Sequence, residues 1–581
     1  MKTRCTPHLS SRQAFGLLMV IVLTGFALIL ATGIFQYAAT NANLNNRENE
    51  YLSAVGAAEA ATEKVVTRIC SDFRDLGESY TLSHLDTYRA LVPTSSEHSV
   101  FGGYTFKNLA GEAGRTDISY TAGSGFEVSS GKYAGLRGTK SKVRIVSNAK
   151  ANYSGGTPVG SVFQDIELLR VPIFQFAAFY NMNMEFDNGP NPLTITGPVH
   201  CNTNIYLNPY APLIFKSDLT AAGDIILGKM PISPISIGSG AITYEGVHVS
   251  RVSALNLPIG TNSTPAAVRE LIEIPPVMED PYSIMGQERY YNKADLIILI
   301  RDANIVATSG LRNSFATVIP TTQVTNFIST NASFYNKREL RTIKSTDVNV
   351  GNLIQWNATN TLIRSWLPGQ DIRTVFIADQ RTQTATTESG IRLLNGQAVL
   401  PSGFTVATPN PLYTLGHYNA PAGYLGTTNT STSRPASLVG DAVTILSTGW
   451  SDANSSLALA SRVAGDTTVN AAILTGLVPT ITGQHSGGVQ NFPRLLEEWS
   501  GRTLTYNGSM VAMFYSKTAT NYWRGIGSTI GIYNPPTRNW GLDLNFLTEG
   551  RLPPSTPSVT ILVRGRWRTP AAFTTNVLAG F

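Results

Sequence analysis

From Phe15 to Phe35 the chain reads FGLLMVIVLTGFALILATGIF, twenty-one residues without a charge. As a helix this run spans about 30 Å, the thickness of a bilayer's hydrocarbon, so it predicts a transmembrane helix. A cleaved signal peptide would have an apolar core of only about 7–15 residues with a small-residue site close behind, and no A-x-A follows the run closely. Beyond Gln36 the chain turns polar but stays periodic. Leu44, Tyr51, Val55, Ala58, Thr62, Val65, Ile69, Phe73 and Leu76 recur at three, four or seven residues, the spacing of one helical face. The membrane helix is therefore predicted to continue as an amphipathic stalk to about Leu76. Gly56 and the asparagines at 41, 43, 45 and 46 mark where it could kink, and Thr81 to Leu91 could add a further helical turn.

The pattern then changes to that of strands. Tyr104-Thr105-Phe106, Lys142 to Val146 and Val162 to Leu168 are β-prone runs separated by Gly, Ser and Asn clusters, and predict a small antiparallel sheet on the stalk. Val171 to Phe186 (VPIFQFAAFYNMNMEF) is apolar for about nine residues, too short to span a bilayer. From Pro192 to Leu227, short apolar strands alternate with Gly, Asn or Asp corners, the rhythm of a β-solenoid. It returns at 391–400, 404–419, 440–447, 467–476 and 503–514. Spacing is irregular, so a β-sandwich stays open as the alternative. Between these blocks, Pro265 to Ile274 and Asp347 to Trp356 have helical potential, while Ala294 to Ile300 and Thr374 to Ile377 read as buried strands.

The predicted fold class is thus α+β, mainly β: a transmembrane helix and helical stalk before a β-rich head. The expected order is a cytoplasmic leader (1–14), membrane helix and stalk (15–92), a small β subdomain (93–170), a first solenoid-like region (171–250), a mixed α/β region (251–380) and a C-terminal β-rich region (381–581).

Composition agrees with export. Charged residues make up 14% of the 581, against about 25% in an average soluble domain, while Gly alone numbers 51. The net charge of +6 suggests at first an acidic partner. However, Lys2, Arg4 and Arg12 precede the apolar run with no acid among them, and without them 41 basic residues face 38 acidic ones. Half the excess is a topology signal that keeps the N-terminus cytoplasmic and sends the rest across the membrane. What remains gives no reason to invoke nucleic acid.

The order of these N-terminal features resembles a known family. The basic leader, Ala14 and Phe15, the apolar helix and the Ala57 to Ala60 stretch (AAEA) are similar to the N-terminus of type IV pilin-like proteins, above all PilX-type minor pilins and K-type pseudopilins of type II secretion. The resemblance implies a cut by prepilin peptidase between Ala14 and Phe15. It also implies an inner-membrane helix that packs with other pilin-like subunits under the pilus or secretion assembly machinery. Ala14 stands where the family usually has Gly. Met19, fifth after the cut, stands where major pilins have Glu, and absence of that Glu is shared by the K-type and PilX-type proteins. An acid in the membrane is costly without a partner, so a chain lacking it need not sit beneath another subunit. Residues 485–511 and 533–546 resemble a domain of large pilin-like exported proteins, one of them linked to a cyanobacterial polysaccharide, which implies polysaccharide as a further partner.

Catalytic chemistry is scarce in the sequence. His8, His84, His98, His200, His248, His417 and His485 show no metal-ligand spacing such as H-x-x-x-H. There is no G-x-S-x-G elbow, phosphate-binding loop or EF-hand pattern. His200 and Cys201 are adjacent, but neighbours on a strand face opposite ways. Glu497-Glu498 is read as the solvated face of an LLEEW helix. Asp441, Asp466, Asp543 and Glu185, with Asn side chains, are candidate calcium ligands. In the exported part, Cys70 and Cys201 could form one disulfide. No catalytic residue, cofactor or metal is expected, and the reading is of a structural, non-enzymatic protein. Two alternatives are a carbohydrate-active enzyme, which needs carboxylates such as Asp441, Asp466, Glu497 and Asp543 to converge, and a glycan-binding adhesin using Trp450, Trp523 and Trp540.

Overall fold

The computed structural model describes residues 12–128, 133, 135–152, 159–310, 317–548 and 550–569. The leader through residue 11, with Cys5, and the side chain of Ala14 at the expected cut lie outside the described residues. One helix, Arg12–Ser83, carries the whole apolar run and the stalk. Its first part, from Phe15 to Tyr37, is exposed on every side, and it is the one described helix long and apolar enough to cross a membrane. No kink forms at the asparagines or at Gly56. The interior break is at Gly77 (φ 81°), where the chain turns against Pro258 and a left-handed backbone favours glycine. The short helix Leu85–Arg89 follows.

The amphipathic half of the helix docks on a five-stranded antiparallel sheet. Its order is Tyr104–Phe106, Arg137–Ala151, Val159–Pro172 and Ser558–Arg568, with Asp117–Glu127 also paired to Arg137–Ala151. Val65, Val66, Ile69 and Phe73 bury against Val143, Ile145, Ile166 and Leu168; each such side chain contributes about 1.5–3 kcal/mol when fully buried. Leu44, at the top of the predicted stripe, stays exposed because the sheet does not reach it. Further up, Ala57, Ala58 and Ala61 meet Phe106, Ala149 and Val162. Small residues are needed there: a Cβ on Gly160 would lie 2.3 Å from the backbone of Ala54 and Val55. Polar groups inside this layer are paired, Thr62 Oγ1 donating to Ser147 Oγ at 2.9 Å and Tyr88 OH to Asp72 Oδ2 at 2.7 Å.

From Ala178 onward, short strands stack in parallel ladders. Ala178 pairs with Val199, Val199 with Leu219 and Leu219 with His248, so partners recur 21, 20 and 29 residues apart. A second ladder (Met184–Phe186, Ile205–Leu207, Ile225–Leu227) and a third (Leu193–Ile195, Leu213–Phe215, Ile242–Tyr244) keep the same steps. The later part of the chain is built likewise. Thr374–Asp379, Phe404–Ala407, Ala436–Gly440, Ala472–Leu477 and Met510–Tyr515 stack in order upon Leu296–Ile300. Met510–Tyr515 then pairs in parallel with Ala178–Tyr180. The first of the earlier ladders and this later one are therefore one twelve-stranded sheet, entered by the chain at its fourth strand, while the second and third earlier ladders stay separate three-stranded sheets.

Strands buried on both faces explain the continuous apolar runs, and the predicted strands at 294–300 and 374–377 are among them. The predicted helices at 265–274 and 347–356 appear as Pro265–Arg269 and Val350–Thr359, the second capped by Asn349. At the corners asparagines stack. Asn470 Nδ2 donates to the Asn419 carbonyl at 2.9 Å, and Asn507 Nδ2 to Asn470 Oδ1 at 2.8 Å. Beside them Gly508 leaves no room for a Cβ, which would meet the Ala471 carbonyl.

Two sequence expectations are corrected. LLEEW is not a helix: Arg494 and Glu498 bridge in parallel to Thr444 and Val463, so the segment runs extended between stacked layers and Glu497 is fully buried. Cys70 and Cys201 are both free. Cys201 is sealed in the ladder core with its thiol donating to the Met182 carbonyl at 3.2 Å, whereas Cys70 belongs to the stalk helix.

Candidate functional site

The proposed calcium ligands do not meet. Asp441 accepts from the backbone amides of Lys517, Thr518 and Ala519 at 2.7, 3.2 and 2.8 Å and pairs with the buried Arg269. Asp466 accepts from the Thr503 amide at 2.8 Å. Asp543 takes Thr430 Oγ1 at 2.6 Å and caps a short turn through the Asn545 amide at 3.0 Å. Glu497 is held by the amide and hydroxyl of Ser447 at 2.7 and 2.6 Å. Burial pushes its carboxyl up to about 7, against those hydrogen bonds and Arg462. Each of these acids fastens its own loop, and the carboxylate pair that glycan cleavage would need is not assembled from them.

The tryptophans are packed rather than displayed. Trp450 donates to Asp452 at 2.8 Å and lies edge-on to Phe334, while Trp540 is buried against Tyr506. His200 contacts Thr220 Oγ1 at 2.8 Å, and its neighbour Cys201 bonds elsewhere, as strand alternation requires.

Glu185 has different company. It is the middle residue of the strand Met184–Phe186, and Asp187 follows two residues later on the same side of the extended chain. His485 arrives from the loop after Ala472–Leu477, a turn carrying Gly487 and Gly488 at positive φ. Its ring stands edge-on against Trp523 at 5.4 Å. Nδ1 lies 3.4 Å from Glu185 Oε2, and Nε2 lies 3.4 Å from Asp187 Oδ2. All three residues are buried. Among the described residues they form the one group of His, Cys, Asp and Glu donors close enough to share an ion.

The remaining atom of each side chain is occupied. Glu185 Oε1 accepts from Thr480 Oγ1 and from Ser486 Oγ, the latter at 3.1 Å. Asp187 Oδ1 accepts from Asn208 Nδ2 at 2.9 Å, and His485 Nδ1 contacts Ser233 Oγ at 3.3 Å. Burial raises the Asp187 carboxyl to about 6, opposed by His485. Asp187 and His485 open onto a cavity of about 360 Å³ whose wall includes Tyr210, Trp523, Tyr533 and Arg538. The cluster sits where the earlier and later ladders join.

Sequence reading singled out Glu185 but missed Asp187 and His485. The readable signal was two acids at i and i+2 leaving a strand; nothing local pointed to a histidine 298 residues further on. No family model, characterised protein or solved structure matches the chain.

Proposed function

We propose that this chain is a structural, pilin-like subunit: a minor pilin or pseudopilin anchored in the inner membrane by its N-terminal helix, with the β-rich head exported. One observation carries the reading. One helix, continuous from the apolar run to Leu76, has a charge-free part that nothing covers and a later part docked on an antiparallel sheet. Twenty-one apolar residues exposed on all sides are stable in lipid or against the same helix of neighbouring subunits, and in water they are an aggregation hazard. The basic residues before them orient the N-terminus to the cytoplasm. In this reading prepilin peptidase cuts between Ala14 and Phe15, and the assembly machinery draws the helix from the membrane into a filament. The head remains periplasmic or on the filament and meets partners or polysaccharide.

The head is further read as a three-sided β-solenoid. The three ladders begin with steps of 21, 21 and 20 residues, which supports this, since each circuit of the chain then supplies one strand to each side. The test is the mature N-terminus, measured by mass spectrometry on membranes from hosts with and without prepilin peptidase. The expected result is Phe15 in the first and Met1 in the second. Met1 in both would overturn the filament role.

A further inference from the structure

We propose that Glu185, Asp187 and His485 bind one divalent first-row transition-metal ion, and that this ion pins the earlier and later ladders together at their junction. The argument rests on what is paired and what is not. Glu185 Oε2, Asp187 Oδ2 and His485 Nε2 have no hydrogen-bond partner, although all three residues are more than nine-tenths buried. The second atom of every one of these side chains is held by Thr480 and Ser486, by Asn208, or by Ser233. One free donor per residue, with the other oriented from behind, is the arrangement of metal ligands fixed by an outer shell.

The distances agree. Ligands about 2.1 Å from a tetrahedral ion stand about 3.4 Å apart. Asp187 Oδ2 is 3.4 Å from Nε2 of His485 and Glu185 Oε2 is 3.4 Å from Nδ1, and one ligand atom from each of the three residues lies within 4.8 Å of the others.

The donor set selects the ion. An imidazole with two carboxylates suits zinc, manganese or iron, whereas calcium takes six to eight oxygens and magnesium keeps its waters. Three protein ligands leave a fourth position free for water from the adjoining cavity. Because Glu185 and Asp187 come from the earlier ladders and His485 from the loop after a later strand, a shared ion adds a crosslink to the strand pairing and the Thr480, Ser486 and Ser233 contacts that already join these segments.

The experiment uses the full-length, tag-free chain in detergent, stripped with chelator and titrated with Zn²⁺ alone. One zinc per chain should survive gel filtration and raise the thermal midpoint. His485→Gln and Asp187→Asn should each weaken zinc binding at least tenfold, with circular dichroism unchanged. Asp187→His, which restores a donor, should retain zinc, as should Asp466→Asn outside the cluster. A Co²⁺-substituted wild type should show visible absorption that His485→Gln lacks, and excess Ca²⁺ should not displace the metal. Failure of wild type to retain zinc, or equal retention by folded His485→Gln, overturns the proposal. So does a wild type whose stability follows histidine protonation and ignores zinc, because His485 would then be a charged bridge.

Discussion

Replacing Glu388 with Gln should remove a pH dependence built into the later ladders. Glu388 lies on the strand Thr387–Leu394, fully buried, with both carboxylate oxygens lacking a hydrogen-bond partner and Arg341 no nearer than 3.9 Å. Burial, reinforced by Glu339 and Asp441 and opposed by Arg341 and Arg494, raises its pKa from the ordinary 4.5 to about 8. The folded chain therefore holds a proton that the unfolded chain releases above pH 4.5. That stabilisation is complete below 4.5 and is lost as pH rises through 8. Integrating the two titrations gives a loss of roughly 3.5 kcal/mol between pH 5 and pH 8. Glu388→Gln keeps the shape and removes the titration. Urea unfolding of the full chain in detergent, followed by tryptophan fluorescence at pH 5, 6, 7 and 8, measures both proteins. Any constant cost of the amide cancels in the comparison, so the readout is the change in the wild-type minus variant difference. A difference that moves by about 3.5 kcal/mol toward the variant supports the argument, and parallel curves refute it.

Gly160→Leu should force the stalk helix off its sheet, since the first side-chain carbon already meets the helix backbone at 2.3 Å; overpacking of this kind costs about 1–3 kcal/mol. Faster proteolysis within residues 54–73 is the expected readout, with Gly125→Ala, where nothing lies within 4 Å, as the silent control. Burial raises the thiols of Cys70 and Cys201, Cys201 to about 11, so the folded chain at pH 8 should leave Cys201 unalkylated and label half-buried Cys70 slowly. In urea without reductant both should label, and a peptide linking Cys70 to Cys201 would contradict the structure.

The local elements were legible because their causes are local. The stalk stripe from Val55 to Phe73 follows the helical period, and Tyr104–Phe106 and Thr374–Asp379 are β-branched or aromatic runs between turn residues. LLEEW was misread for the same reason. Leu and Glu favour helix, and only pairing with Thr444 and Val463, about 35–50 residues away, holds the segment extended. The acids at 441, 466 and 543 were read as calcium ligands and Glu497 as a solvated helical face, whereas each fastens a loop through backbone amides, which carry no sequence signature. The Glu185–Asp187–His485 cluster depends on a contact of longer range still. Whether His485 lies beside Glu185 is decided by which strand Met510–Tyr515 chooses as its neighbour.

That choice also bears on how the head is held. Ladders that began at the stalk and ran outward would leave the last circuit far from the membrane helix. Here the chain starts in the middle, runs to one end, crosses to the other and returns, so the final strand Ser558–Arg568 comes back beside Val159–Pro172. Arg564 reaches the stalk helix directly, its guanidinium donating to both oxygens of Glu63, the longer bond at 2.8 Å. Thr560 adds a backbone pairing with Asn256. The stalk sheet thus takes strands from both sides of the β-rich region, and a pull on the helix is shared between Val159–Pro172 and Ser558–Arg568 along their antiparallel pairing. Peeling the edge strand Ser558–Arg568 alone leaves Val159–Pro172 paired to Arg137–Ala151. Under the pilin-like reading, in which the helix is drawn from the membrane while the head stays folded, this double attachment directs the load into the stalk sheet and away from the three-residue strands of the ladders, each of which has few hydrogen bonds with which to resist it.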